Sequence, residues 1–216
     1  MIIAIIGGTG KEGKGLAYRW AKAGHQVIIG SRELEKAQRI ASEMNANFTG
    51  IQSILGEQNT DAARKADLVV ITVPYTAHIP TLESIRQEVQ NKIVIDVTVP
   101  LVPPKVSHVQ IPPSGSAAQE AQEKLGENVK VVSAFQNVSY EKLLKDEELL
   151  CDVLVCGNDK EAKLTVMALI KDAGLKGFDA GPLQNSIVSE GMTSVLININ
   201  KQFGTQSAGI KITGVD

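Results

Sequence analysis

Cysteine is nearly absent, with two residues in a chain of 216. Cys151 and Cys156 both sit in the apolar stretch LLCDVLVCG, where they read as small core residues of a strand. A disulfide framework and a cysteine metal cluster are thereby excluded, and no other metal-ligand spacing is present. Charge of one sign is lacking as well: 24 acidic and 22 basic residues give a net charge of −2, well mixed along the chain. That excludes a nucleic-acid stripe and a polybasic membrane patch. No apolar run approaches the ~20 residues needed to span a bilayer. The N-terminus reads directly as a strand, without a leader. The expectation is a cytoplasmic protein with neither nucleic-acid nor membrane partners. Histidine is rare too, at three residues. His25 precedes a strand and reads as structural. His78 follows Pro74-Tyr75 and is expected near the mouth of a crevice, and His108 falls in a proline-rich loop. No Ser-His-Asp order and no paired carboxylates can be defended, so no catalytic acid or base is assigned.

What is present is a glycine-rich turn. The chain opens MIIAIIGGTGKEGKG, which places Gly8, Gly10 and Gly13 in the spacing G-x-G-x-x-G directly after the strand-like run Ile2 to Ile6. In a dinucleotide site the first glycine allows the tight turn. The second lets the backbone approach a pyrophosphate, and the third lets helix and strand pack closely. The phosphates then sit on exposed N–H groups at the helix start. A P-loop is rejected because Gly15 follows Lys14, where a Ser or Thr hydroxyl would be needed for Mg²⁺. The nucleotide is indicated at the end of the second strand, which reads Gly30-Ser31-Arg32. An NAD site usually carries an acid there to accept from the ribose 2′-OH. Here a hydroxyl and a guanidinium stand ready for a 2′-phosphate, and Lys36 lies one helical turn further on. NADP(H) is the expected nucleotide.

Strand-like and helix-like segments alternate, which argues for an α/β, Rossmann-type doubly wound and mainly parallel sheet. Strands are expected near 2–7, 26–30, 68–73, 92–96, 130–134 and 152–156. Helices are expected near 11–23, 33–44, 77–89, 160–173 and 186–203, with short ones at 59–66 and 119–126. Residues 1–157 form the expected nucleotide domain. Residues 158–216 form a small helical and extended C-terminal region that completes the sheet and an acceptor pocket. The proline-rich segment 100–116 reads as a loop over the crevice. In the last helix Met192, Val195, Leu196, Ile199 and Phe203 recur at helical spacing and are expected to face the core, with a subunit interface as the other possibility. The tail GTQSAGIKITGVD reads as an extended segment laid against the body or a partner.

The segments GGTGKEGKGLA, IIGSRELEKA, N-x-DAA-x-x-ADLVVITVP, VVSAFQNVS, VCGNDKEA and DAGPLQNS and the closing GIK together resemble the NADPH-dependent reductases of the deazaflavin coenzyme F-420. The resemblance runs over essentially the whole chain. It implies a hydride passed directly between NADP(H) and the deazaflavin, held face to face, in a homodimer. Carried over by motif, Thr9, Gly10, Lys11 and Glu12 surround the pyrophosphate. Ser31, Arg32 and Lys36 hold the 2′-phosphate. Val73, Pro74, Val99 and Ala134 line the nicotinamide and ribose side, and Ser53, Gln136, Val138 and Thr193 line the deazaflavin side. Archaeal members carry histidine where this chain has Gln136, and this chain has a few extra residues around Asn47 to Leu55. Both departures touch the acceptor side. Reduction of a flavin, a metal chelate or another small acceptor stays open, as does a non-catalytic NADP(H) sensor.

Overall fold

The structure is a computed structural model and describes residues 1–215. Its strands are β1 (Ile2–Ile6), β2 (Gln26–Ser31), β3 (Leu55–Gln58), β4 (Leu68–Ile71), β5 (Ile93–Asp96), β6 (Lys130–Ser133), β7 (Asp152–Gly157) and β8 (Lys176–Asp179). They form one sheet in the order β3-β2-β1-β4-β5-β6-β7-β8. The first six are parallel in the doubly wound order, with the crossing point between β1 and β4. Strands buried on both faces need near-continuous apolar runs, and Ile3 to Ile6 and Leu68 to Ile71 provide them at 0–1% exposure.

One face of the sheet is covered by α1 (Lys11–Lys22), α2 (Leu34–Asn47) and α7 (Lys160–Asp172). Trp20 on α1 meets Phe135 edge-on at 5.7 Å and donates its indole N–H to Leu169 O at 2.9 Å. The other face is covered by α3 (Asn59–Lys65), α4 (Tyr75–Ile85) and α5 (Ala117–Leu125). A short α6 (Tyr140–Leu143) packs beside α1. Side-chain caps mark two helix starts: Ser116 Oγ accepts from Gln119 N at 3.1 Å, and Asp159 accepts from Ala162 N at 2.8 Å.

β7 runs against β6, and only two rungs join them, Val132 to Gly157 and Ser133 to Cys156. Asp152 to Val155 therefore lie past the end of β6. With β8 parallel beside them, they overhang the carboxyl edge of the first six strands. β3 and β8 lie outside the expected elements. Both are four-residue edge strands without an apolar run, and Leu55 in β3 is 45% exposed.

The last helix, α8 (Ser186–Phe203), corrects the expected facing. Its buried residues are Ser186, Ser189, Glu190, Ser194 and Leu196, while Val188, Val195 and Phe203 point outward. The buried face is polar because it closes hydrogen bonds. Glu190 accepts from the N–H groups of Ala117 and Ala118 at 2.7 and 3.1 Å, at the start of α5. Ser186 Oγ donates to Ser116 Oγ at 2.7 Å. After α8 the tail returns over the body. Asp152, 1% exposed in its side chain, accepts from Ile212 N at 2.7 Å and from Lys211 Nζ at 2.9 Å. Its own N–H donates to Ile210 O at 2.9 Å. Among the described residues, no helix is long and apolar enough to cross a membrane.

Candidate functional site: a cleft at the carboxyl edge

A cleft of about 900 Å³ lies at the carboxyl ends of the parallel strands, walled by the loop after β5, by α6, by α8 and by the tail. Its floor begins with the glycine turn. Gly7 carries the left-handed backbone, φ +76°, and a Cβ there would lie 2.5 Å from Val73 Cγ1. The tight-turn glycine is thus Gly7, one residue before the expected Gly8. Gly8 is instead a packing partner of Gly13, whose close packing was expected: a Cβ on Gly13 would lie 2.5 Å from Gly8 Cα. Gly10 is different. A Cβ there would meet only Gly7 O, at 3.5 Å, because the space beyond is open cleft. Gly10 also begins α1 without a side-chain cap, so the first helical N–H groups remain available to an anion.

Thr9, Gly10, Lys11 and Glu12 line this part of the cleft, and Ser31, Arg32 and Lys36 line its end beyond β2. Val73, Pro74 and Val99 line the middle. Ala134 does not: it is fully buried, and its N–H donates to Asp96 O at 3.3 Å, which makes it strand packing. Gln136, Val138 and Thr193 line the far end. Ser53 is corrected. Its carbonyl accepts from Gln26 Nε2 at 2.7 Å, at the start of β2 and so at the opposite, amino edge of the sheet. The extra residues near it form the loop into edge strand β3 and never reach the cleft. His78 is corrected as well. It lies away from the mouth, fully buried, with Nε2 2.7 Å from Asp96 Oδ2. Burial works against its charge, but the Asp96 carboxylate outweighs that and raises its pKa.

Sequence reasoning missed several lining residues. Asn59 opens one of the expected short helices and was given no place in the site. Thr98 carried no motif, and Tyr140 sits on a helix too short to anticipate. Lys11 Nζ donates to Tyr140 OH at 3.0 Å and lies 4.7 Å from the ring centre, a cation–π contact that links α1 to α6 at the rim. Gln206 and Ala208 enter from the anchored tail.

Among the described residues, five buried side-chain polar atoms have no partner. Four belong to cleft residues: Asn59 Oδ1, Glu12 Oε1, Thr98 Oγ1 and Gln136 Oε1. The great majority of buried polar groups in proteins are paired, so orphans gathered around one cleft point to a polar ligand there. Glu12 is the one acid among them, and burial pushes its carboxyl up to about 8. It therefore stands neutral near pH 7 at the uncapped start of α1.

The doubly wound sheet, the uncapped start of α1 and the cations beyond β2 define a dinucleotide-binding protein of the Rossmann class. Comparison with known proteins narrows this. Residues 2–100 match the family described as NADP oxidoreductase, coenzyme F-420-dependent. The chain is 41% identical over 224 positions to the F-420-dependent NADP reductase of Methanocaldococcus jannaschii, with both chains covered in full. It is also 41% identical to the enzyme of that name from Methanothermobacter thermautotrophicus, covering 100% of this chain and 96% of the relative. The crystal structure of a candidate F-420-dependent NADP-reductase from Arthrobacter sp. FB24 superposes with a TM-score of 0.84 at 25% identity, over 98% of each chain. The chain belongs to the F-420-dependent NADP reductase family.

Proposed function

We propose that the cleft holds NADP(H) from Arg32 to Val99 and coenzyme F-420 against Gln136, Val138 and Thr193. The protein is then an NADP-dependent oxidoreductase that moves hydride between the two cofactors. The observation that carries this reading is the line of four orphaned polar atoms in one cleft. Asn59 stands at the 2′-phosphate end, Glu12 at the phosphate turn, Thr98 in the middle and Gln136 at the acceptor end.

Nicotinamide and deazaflavin supply the redox chemistry. The protein's task is orientation and exclusion of water. Arg32, Lys36 and Ser31 meet the 2′-phosphate, and the open space over Gly10 admits the pyrophosphate. Pro74, Val73 and Val99 give an apolar wall where a flat ring packs, and Leu101, Pro103 and Val106 cover it from the loop after β5. Thr193 is held in place by donating to Gln136 O at 2.8 Å. We divide the chain at 157/158, because the segment after β7 carries α8 and the tail to the acceptor side. We assign a homodimer to the outward stripe of α8, where Val188, Val195 and Phe203 are 61%, 45% and 73% exposed. The cytoplasm is the compartment this reading assigns.

The test is spectroscopic. Oxidised F-420 mixed with NADPH and catalytic protein is expected to lose its deazaflavin absorbance, and NADH is expected to do this far more slowly. Intact NADPH binding without bleaching would overturn hydride transfer to F-420 and leave a nucleotide sensor or a different acceptor.

A further inference from the structure

The polar contacts of Gln136 fix which way its carboxamide faces. Its Nε2 donates to the backbone carbonyl of Asp96 at 2.7 Å and to Ser133 Oγ at 2.9 Å. A carbonyl can only accept, so the atom beside Asp96 must be the nitrogen. Flipping the amide would set two oxygens 2.7 Å apart. Both hydrogens of Nε2 are therefore engaged. Oε1, buried and without a partner, is the one polar side-chain atom left for a ligand.

The anchor cannot shift to accommodate a flip. The Asp96 carboxylate takes His78 Nε2 at 2.7 Å and Thr98 N at 2.9 Å, and both His78 and Asp96 are fully buried. The same Asp96 carbonyl also accepts from Ala134 N at 3.3 Å. On its other side, the backbone carbonyl of Gln136 is held by Thr193 Oγ1. The residue is 7% exposed and sits in the cleft wall.

We propose that Gln136 is a locked hydrogen-bond acceptor that selects an acceptor molecule bearing a ring N–H, as in the pyrimidinedione ring shared by flavins and deazaflavins. This rests on placing the acceptor molecule at the Gln136 end. Gln136 is the specificity contact, and Asp96 with His78 is the positioning pair that keeps its polarity. A pyrimidinedione N–H lies between two ring carbonyls, so a group locked as an acceptor reads that N–H and repels the carbonyl on either side. The ring can then seat in one register.

The experiment compares 5-deazariboflavin with its 3-methyl derivative, which lacks that one N–H. Binding is read by fluorescence anisotropy of the deazaflavin in the presence of NADP⁺, so turnover is not required. Methylation leaves a buried acceptor unpaired, and wild type is expected to bind the methylated probe about tenfold more weakly. In Gln136→Leu the preference is expected to fall below about twofold, because no acceptor is left to satisfy. Equal binding of the two probes by wild type overturns the proposal, and that measurement needs no variant. A full preference retained in Gln136→Leu overturns it too. Failure of NADPH to reduce the parent probe would instead count against the hydride reading, since the binding ratio is independent of turnover.

Discussion

Gly10 and Gly13 look alike in a motif, yet the structure separates what an added methyl does at each. At Gly10 the backbone is extended, φ −75° and ψ 172°, which alanine adopts freely. The new Cβ would meet one atom, Gly7 O, at an ordinary 3.5 Å. The remaining cost is loss of glycine at a helix N-cap, about 0.5–1 kcal/mol, or at most ~4 °C in melting temperature for a chain of this size. At Gly13 the Cβ would lie 2.5 Å from Gly8 Cα and 2.9 Å from Thr72 Oγ1. Backbone faces backbone there, so overpacking costs about 1–3 kcal/mol, or ~2–12 °C. Binding reverses the order. The Gly10→Ala methyl enters the space a pyrophosphate needs, and one charge-assisted N–H contact is worth about 1.5–3 kcal/mol, roughly 10- to 150-fold in affinity. Thermal unfolding without nucleotide and calorimetric titration of NADPH read the two effects separately. Gly10→Ala is expected to melt close to wild type and bind poorly, and Gly13→Ala to melt lower. If Gly10→Ala binds NADPH within about threefold of wild type, the pyrophosphate does not lie over Gly10.

Arg32→Ala is expected to weaken NADPH about 10- to 150-fold and leave NADH nearly unchanged; equal weakening of both would return Arg32 to an ordinary surface charge. Conversion toward NADH is better attempted with Ser31→Asp than Gly30→Asp, because a Cβ on Gly30 would lie 2.9 Å from Asn59 Oδ1 and 3.0 Å from Ile6 Cδ1. The raised carboxyl of Glu12 keeps its proton in the folded chain between about 4.5 and 8, where the unfolded chain has lost it, so stability falls as pH rises through that window. Glu12→Gln is expected to match wild type near pH 5 and exceed it near pH 9, by up to about 5 kcal/mol in urea unfolding. An equal gap at both pH values would show that the carboxyl is not held neutral. Asp152→Asn weakens the clasp on Lys211 and Ile212, so protease cleavage within 205–212 is expected to speed up and F-420 binding to fall more than NADPH binding. Unchanged cleavage would remove Asp152 as the anchor.

The central fold was legible because strands buried on both faces must be apolar runs and a βα turn must be small. Hence β1, β2, β4, β5 and the glycine loop could be read directly. The edge strands could not: LGEQ and KGFD have no apolar pattern, since one side of each meets no strand. Which glycine takes the turn was misplaced by one residue, because spacing does not report φ, and Gly7 stands just outside the motif. In α8, apolar periodicity was only a partial guide: Leu196 is buried as expected, while Val195 and Phe203 face outward. Ser186 and Glu190 are buried because the start of α5 offers them hydrogen bonds, a long-range fact with no local signature. Ser53 failed for a similar reason: inserted residues can shift a motif's neighbour to the other edge of a sheet. The cations and the Gln136 segment do line the cleft, because each follows directly from the end of a strand, and strand ends at the carboxyl edge face the crevice.

The anchored tail has a consequence in time. The cleft draws on both Gly7 and Ala208, far apart along the chain, so it cannot close until the chain has emerged from the ribosome through Ala208. Nucleotide at 100 times its dissociation constant adds about 2.7 kcal/mol to a chain that can bind it. A chain halted before the tail reaches Asp152 keeps its sheet but forgoes part of that gain. The coenzymes thus discriminate chains that carry the anchored tail from chains halted before it, and the halted chains are left more open to proteolysis when NADP(H) is plentiful.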